Sequence, residues 1–518
     1  MSKKRAIIVG AGIGGLTMAI RLARKGWQVE IHEARNYPGG RLGFVEGDGY
    51  RFDLGPTIVL MPDVFRSFFA ELGMNMEDHL TFKQLDPNYR LHFADGTHFD
   101  ASANLQRMMN EIARISPSDL NGFMKYLAYM YRRYRIARHD FIEQPMLSVK
   151  ELLNPVVIKK LIQLHTLRSM NHDISRFIHD ERLQTALTFQ SLYIGIDPFE
   201  APSIYNVIGF MELSYSGVWY CEGGYHRVAE VFARLAAQYG VEIHYGSKVE
   251  QIITENQKAK SVRLHNGQII PASIVVVNAD YPKAVKALLN EENRGKVSEE
   301  KIDKMRLSCS AFMMYLGSKQ RYPHANVHNV YFSRDFKENM DQLFHAPRLP
   351  DHPSFYVHVP SLIDASVAPP DREAIYVLVP VANNRSGIDW KKATPVLREH
   401  VLRRMEDAGF HDLTNQLEYE HIVTPDDWER DLSLEMGATF GVLPTLRQSA
   451  YWRPSLKSKE IEGLYFLGAS THPGGGVPIV MTGAASLDKV ISRDFPEMSV
   501  RSAVVNPVIS VGVGEEIG

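Results

Sequence analysis

The chain has 518 residues, 45% of them hydrophobic and 23% charged, with a formal net charge of −2. That length suits two or three domains at ~100 to 200 residues each, and the balance excludes a disordered or fibrous chain and leaves no global positive field for nucleic acid. Two cysteines, Cys221 and Cys309, are too few for a disulfide framework or a cysteine-based metal centre.

The apolar run Ala6-Ile7-Ile8-Val9 predicts a buried strand, and it leads directly into Gly10-Ala11-Gly12-Ile13-Gly14-Gly15 and a helical stretch through Leu16, Ala19, Ile20 and Leu22. In a dinucleotide fold Gly10 permits the tight turn, Gly12 lets the backbone approach a pyrophosphate, and Gly15 allows close helix–strand packing. The helix opening at Ile13 points its amides at phosphate, with Gly14 in the same turn. Glu33 ends a second strand-like run, roughly 20 residues on, where a carboxylate accepts from a ribose diol and repels a 2'-phosphate. Gly39-Gly40-Arg41 then offers further amides and a bidentate cation, which a simple nicotinamide enzyme does not need and a flavin site does. A glycine triplet alone also marks turns that merely require positive φ; the strand, helix and acid around it specify the nucleotide.

The nucleotide fold is read as discontinuous, with a first part over residues 1–75, a second over 222–295 and a third over 431–495. Between them, 76–221 reads as mostly helical, with Phe123, Tyr126, Met130 and Tyr134 at helical spacing. That stripe is either core or binding wall. Around it, Tyr131, Arg132, Arg133, Arg135 and Arg138 crowd cations with aromatics, as on a lipid surface or a solvated salt-bridged face. His165, His172 and His179 share a helix face only if that helix is unbroken; two turns, ~10 Å, separate successive pairs, so no metal is expected there. Residues 296–430 alternate strand-like runs such as Phe312-Met313-Met314-Tyr315-Leu316 and suit a sheet walling a substrate cavity. Residues 496–518 form a tail expected to be disordered.

Glu33 with Gly39-Gly40-Arg41, then Phe52-Asp53-Leu54-Gly55-Pro56-Thr57, Phe440-Gly441-Val442-Leu443-Pro444 and Gly468-Ala469-Ser470-Thr471-His472-Pro473-Gly474-Gly475-Gly476-Val477-Pro478, resembles the amine-oxidase-like flavoproteins, and among them the bacterial carotenoid desaturases. Met61-Pro62-Asp63-Val64 and Ser308-Cys309-Ser310-Ala311-Phe312 look most like the dehydrosqualene (4,4'-diapophytoene) desaturases. The resemblance implies an α/β fold: a Rossmann-like FAD-binding domain with an inserted substrate domain of mixed sheet and helices, and a helical, membrane-associating part. It implies FAD contacts at the Val249 backbone and around Gly468, Gly475, Gly476 and Val477. A helix N-terminus at Val477 would stabilise negative charge on reduced flavin.

Such an enzyme turns a C–C single bond of a long apolar isoprenoid into C=C by hydride transfer to flavin N5 and loss of a neighbouring proton. Glu181 and His226 are the candidate bases, each equally readable as a salt-bridge or capping residue, and deprotonation to water needs neither. The expected substrate is 15-cis-4,4'-diapophytoene; C40 phytoene is an alternative. A flavin oxidase of terminal methyl groups is the runner-up, because Gly474-Gly475-Gly476 departs from the Gly-Ala-Gly of a plain desaturase. An amine oxidase and a non-catalytic carotenoid carrier are weaker readings. Oxygen or a quinone is the expected electron acceptor. With no signal peptide and no run of about 18 apolar residues, the protein is expected in the cytoplasm, peripherally bound to the inner face of the cell membrane.

Overall fold

A computed structural model describes residues 4–145, 154–164 and 166–499. Its first layer is a five-stranded parallel sheet in the order Leu464–Phe466, Ile274–Val277, Arg5–Val9, Gln28–His32, Glu242–His244. Central parallel strands are buried on both faces and favour β-branched residues. Ile274-Val275-Val276-Val277 meets that demand, all four being buried, and Ile8 pairs with Val276 on one side and Ile31 on the other. The helix Ile13–Arg24 covers one face of the sheet and packs against Val477–Asp494 and Arg227–Gln238.

The run from Val241 to Ile252 divides between two sheets rather than forming one hairpin. Glu242–His244 ends the parallel sheet, Gly246 turns the chain at φ +63°, and Val249–Glu255 starts a three-stranded antiparallel sheet with Lys258–Leu264 and Ile269–Pro271.

The second layer is a seven-stranded sheet in the order Leu417–Val423, Ser310–Ser318, Glu373–Val381, Phe355–His358, His328–Tyr331, Tyr89–His92, His98–Ala101. Its two nine-residue strands pair along their whole length, from Ser310 opposite Val381 to Ser318 opposite Glu373. Period-two alternation divides their side chains between faces. Phe312, Met314 and Leu316 pack under the helix Trp390–Asp407, while Ala311 and Met313 face the other way, towards the cavity described below.

The stretch 76–221 is less helical than its composition suggests. Tyr89–His92 and His98–Ala101 extend the seven-stranded sheet, and Phe82–Gln84 pairs with Trp219–Cys221. These strands have three or four residues, too few for period-two alternation to stand out in sequence. The aromatic stripe of the helix Leu120–Ala137 is core: Phe123, Tyr126, Met130 and Tyr134 are all buried. Arg133 on this helix is buried too, paired with Asp173 at 2.6 Å and donating to Ser203 Oγ. His172 and His179 do not share a helix, since Ser169 caps a new short one, Met170–Ile174, that ends before His179; His165 lies outside the described residues. Of the 496–518 tail expected to be disordered, Pro496–Ser499 instead forms a short helical turn, and 500–518 lie outside the described residues. Among the described residues no helix is long and apolar enough to cross a membrane.

Candidate cofactor and substrate site

One cavity of about 1390 Å³ runs between the two layers. A single small-molecule pocket is typically ~300–1,000 Å³, so this one has room for two ligands. Its lining changes character along its length. At one end stand glycines and the charged side chains of Glu33, Arg35, Arg41 and Lys248; further on the wall is aliphatic and aromatic.

The polar end is built mainly from backbone. Gly10, at φ +97°, makes the turn out of the first strand, and a Cβ there would lie 2.7 Å from the Asn278 carbonyl. Gly12, Gly14, Gly40, Gly468, Gly475, Gly476 and Val477 line the same space. Gly15 does not; it packs behind, where a Cβ would meet the Gly10 carbonyl oxygen at 2.3 Å. Glu33 is held by two amides, Ala11 N donating to Oε2 at 2.7 Å and Arg35 N to Oε1 at 2.9 Å. Each oxygen keeps a lone pair for a further donor such as a ribose hydroxyl. A Cβ on Gly40 would project into the cradle, with only Gly12 Cα near it at 3.8 Å. Val249 is buried beside Lys248 at this end. Arg41 pairs with Asp280 at 3.3 Å, and Asp280 also accepts from Ser470 Oγ at 2.7 Å. This donor set fits a dinucleotide, with amides and a helix start for phosphate and a fixed acid for ribose.

Two residues that sequence reasoning did not name as site residues hold this end together. Asn278, just past the valine strand, accepts from Gly15 N at 2.8 Å and donates to Leu467 O at 2.9 Å, stapling the first glycine loop to the last motif. A polar side chain directly after a buried strand is its only sequence signal. Arg453 is buried and spends its guanidinium on carbonyls of Thr471, Gln448, Val442 and Ala469. It fixes the loop that leads into the Gly474-Gly475-Gly476 turn.

The apolar arm is walled by Ala311, Met313 and Leu378 of the seven-stranded sheet and by Phe189, Leu192 and Ile208 opposite. Its polar atoms are few, and several bond one another. Tyr356 bonds Thr57 at 2.7 Å and His328 Nδ1 at 2.6 Å, and Tyr376 donates to Gly55 O at 2.7 Å. Burial drives the His328 pKa well down, so the ring stays neutral. At the mouth, Leu167, Leu446 and Trp452 line the cavity while remaining 89%, 40% and 61% exposed.

Neither candidate base lines this cavity. Glu181 is exposed in the first turn of the helix Glu181–Ala186, which Asp180 caps. His226 is buried against Asp53, Nδ1 to Oδ1 at 2.9 Å, and the same carboxylate accepts from the Tyr225 and His226 amides. That histidine anchors the turn into the helix Arg227–Gln238. Among the described residues, Glu30, His32 and His244 gather their ligand atoms within 4.8 Å. The two imidazoles stack 14° from parallel and Glu30 is paired with Arg5, so their lone pairs do not converge on one point.

Residues 13–482 match the family described as flavin containing amine oxidoreductase. A zeta-carotene-forming phytoene desaturase of Myxococcus xanthus is 39% identical over 482 residues, covering 93% of this chain and 92% of that one. A 4,4'-diapophytoene desaturase (4,4'-diaponeurosporene-forming) of Staphylococcus haemolyticus is 38% identical over 496 residues, covering 94% and 98%. Among solved structures, an oxidoreductase from Methanosarcina mazei superposes with a TM-score of 0.62 at 16% identity over 94% of this chain and 100% of that one. A putrescine oxidase bound to putrescine gives 0.61 at 14% identity over 95% and 99%. These two show the shared fold. With a glycine cradle in place, a family match over most of its length and relatives near 40% identity, the chain belongs to the flavin containing amine oxidoreductases.

Proposed function

We propose that this protein is an FAD-dependent desaturase of a long, linear isoprenoid hydrocarbon, with 4,4'-diapophytoene as the first substrate to test and phytoene as its C40 comparator. The observation that carries the reading is the continuity of the glycine cradle with an apolar arm in one cavity. The relatives named as phytoene and diapophytoene desaturases support it. FAD, when bound, supplies the hydride acceptor. Gly10, Gly12, Gly14, Gly40 and the start of the helix at Val477 would hold its phosphates and ring end, Glu33 its ribose, and Val249 its adenine, with Gly15 supporting from behind. The chain's own task is to position an apolar substrate and keep water out. The sheet face at Met313 and Leu378 provides an alkane-like wall, and the tyrosines tie the Leu54–Thr57 turn to that sheet. The substrate offers no hydrogen-bonding group, so alignment rests on shape and buried area.

The exposed apolar rim at the mouth supports a membrane contact there. Leu167, Leu446 and Trp452 would sit among lipid chains and admit a substrate that dissolves in lipid. The Tyr131–Arg138 segment fits that role less well: Arg133 is buried on Asp173, and Arg138 is spent on Asp63 and Glu143. Purified protein reconstituted with FAD and liposomes should convert diapophytoene or phytoene to products absorbing at longer wavelength. Conversion of only an already conjugated C30 polyene, and only with oxygen, would favour terminal methyl oxidation instead.

A further inference from the structure

Behind the wall of the apolar arm lies a carboxylic acid that the site described so far does not use. Glu212 is fully buried, in a π-helical turn, Met211–Tyr215, that follows the helix Asn206–Phe210. Single π turns are rare and recur at functional sites. Its neighbours Val207, Ile208 and Met211 line the cavity, as do Phe189, Leu192 and Tyr193. Tyr89 donates to Glu212 Oε2 at 3.0 Å. Oε1 makes no hydrogen bond of normal geometry, although Gln190 and Tyr193 lie close enough to stabilise its charge. Tyr193 is the member of this group that reaches the cavity. It packs on the same apolar cluster as Ile58, Tyr356 and Ile479, where the substrate arm meets the nucleotide loops.

We propose that Tyr193 is the proton acceptor of the desaturation, backed by Glu212 as the group that takes the proton on. The inference rests on the desaturase reading above. A C–C bond becomes C=C by losing a hydride from one carbon and a proton from the next. The hydride carries two electrons to the flavin of the family. The second C–H bond breaks, its electron pair forms the π bond, and its proton goes to the Tyr193 oxygen. The Tyr193 hydroxyl proton moves to a Glu212 carboxylate oxygen, leaving tyrosine neutral and Glu212 as the acid.

Burial pushes the Glu212 carboxyl up to about 8, against the pull of Tyr89, Gln190 and Tyr193. The groups facing it are Tyr89 from the strand Tyr89–His92 and Gln190 and Tyr193 from the turn Phe189–Ile194. Among the described residues no cation pairs with it. On the adjacent helix Leu105–Ile115, Arg107 is paired with Asp86, and Arg114 with Glu111. The ionised, proton-accepting form therefore grows as pH rises towards 8.

The test is anaerobic flavin reduction by diapophytoene and by phytoene across pH, alongside infrared titration of the substrate-free holoenzyme. Wild type should speed up close to tenfold per pH unit below 8 and level off above, and its protonated-carboxyl band should vanish over the same range. Glu212→Gln, which keeps shape and polarity, should retain FAD and polyene binding, lose that band, lose the pH dependence and slow by the ~10²–10⁴-fold typical of a general base. Tyr193→Phe should slow reduction while leaving the band in place. A Glu212→Gln enzyme with wild-type rate and pH profile would overturn the proposal, as would a wild-type carboxyl band unchanged between about pH 6 and 10. Wild type that is reduced by neither polyene would overturn the desaturase reading and this proposal with it.

Discussion

At the cradle end of the cavity many of the lining residues are glycines, Gly10, Gly12, Gly40 and Gly476 among them, and the acidic side chains Glu33 and Asp280 are fixed by amides and a hydroxyl. At the far end the facing atoms belong to side chains of two layers, Met313 and Leu378 on one and Leu192 and Ile208 on the other, with the polar groups placed behind them. A backbone site tolerates little change in position but needs few residue types. A side-chain wall can be rebuilt from many apolar residues while its volume is kept. The cradle therefore reads out a cofactor shared across the family, and the arm carries what is particular to the substrate.

Substitutions separate the two ends. The largest effect expected on the arm side is Asp173→Asn, which leaves Arg133 charged and buried: a loss of ~3–5 kcal/mol. Denaturant unfolding should show it while folded protein keeps its flavin. On the cradle side, Gly15→Ala drives a methyl against the Gly10 carbonyl and into contact with Asn278. Overpacking of this kind costs ~1–3 kcal/mol, and here it also displaces the loop, so flavin absorbance per protein should fall sharply. Flavin retention in Gly15→Ala, or flavin loss in Asp173→Asn, would break the contrast.

Acid should strain both ends together. Burial lowers His32 in the cradle, His358 in the arm and His472 in the final motif to about 4. A histidine whose folded pKa lies below its unfolded value of 6.5 favours the unfolded chain once protons are available. The stability is complete above about pH 6.5 and is lost as pH falls towards 4, at up to ~1.4 kcal/mol per unit for each ring. Melting temperature measured from pH 7 down to about 5 should fall accordingly. The smallest effect is expected from Gly475→Ala. Gly475 is not among the positive-φ glycines, and a Cβ there meets only Ala469 at 3.5 Å. Stability should change by less than ~0.5 kcal/mol, with flavin retained, which leaves product analysis free to read any effect of the triplet on substrate choice.

How far these two ends are legible in the sequence follows from the same contrast. The cradle is written in short strings with fixed offsets, so Gly10 to Gly15, Glu33, Gly40 and Arg41 are recognisable from the amino-acid order alone. The long-range polar contacts at either end are not. Asn278 meets Gly15 across 263 residues, and Glu212 meets Tyr89 across 123. His226 looks like a base because it follows Gly223-Gly224, but Asp53, 173 residues away, claims its ring. Glu181 is conspicuous for its place ahead of an apolar segment, yet the fold turns it to solvent. The short strands within 76–221 leave little local pattern, because each has only three or four residues and the sheet that Tyr89–His92 joins, through His328–Tyr331, lies in a distant part of the chain. Local patterns carry the cofactor, and long-range contacts carry the chemistry of the substrate.

The most direct test mixes FAD-loaded protein anaerobically with diapophytoene in liposomes and follows the flavin and polyene bands together. If one cavity brings substrate to cofactor, the flavin should bleach in step with the rise of a longer conjugated system. Binding of the polyene with the flavin left oxidised would contradict the account.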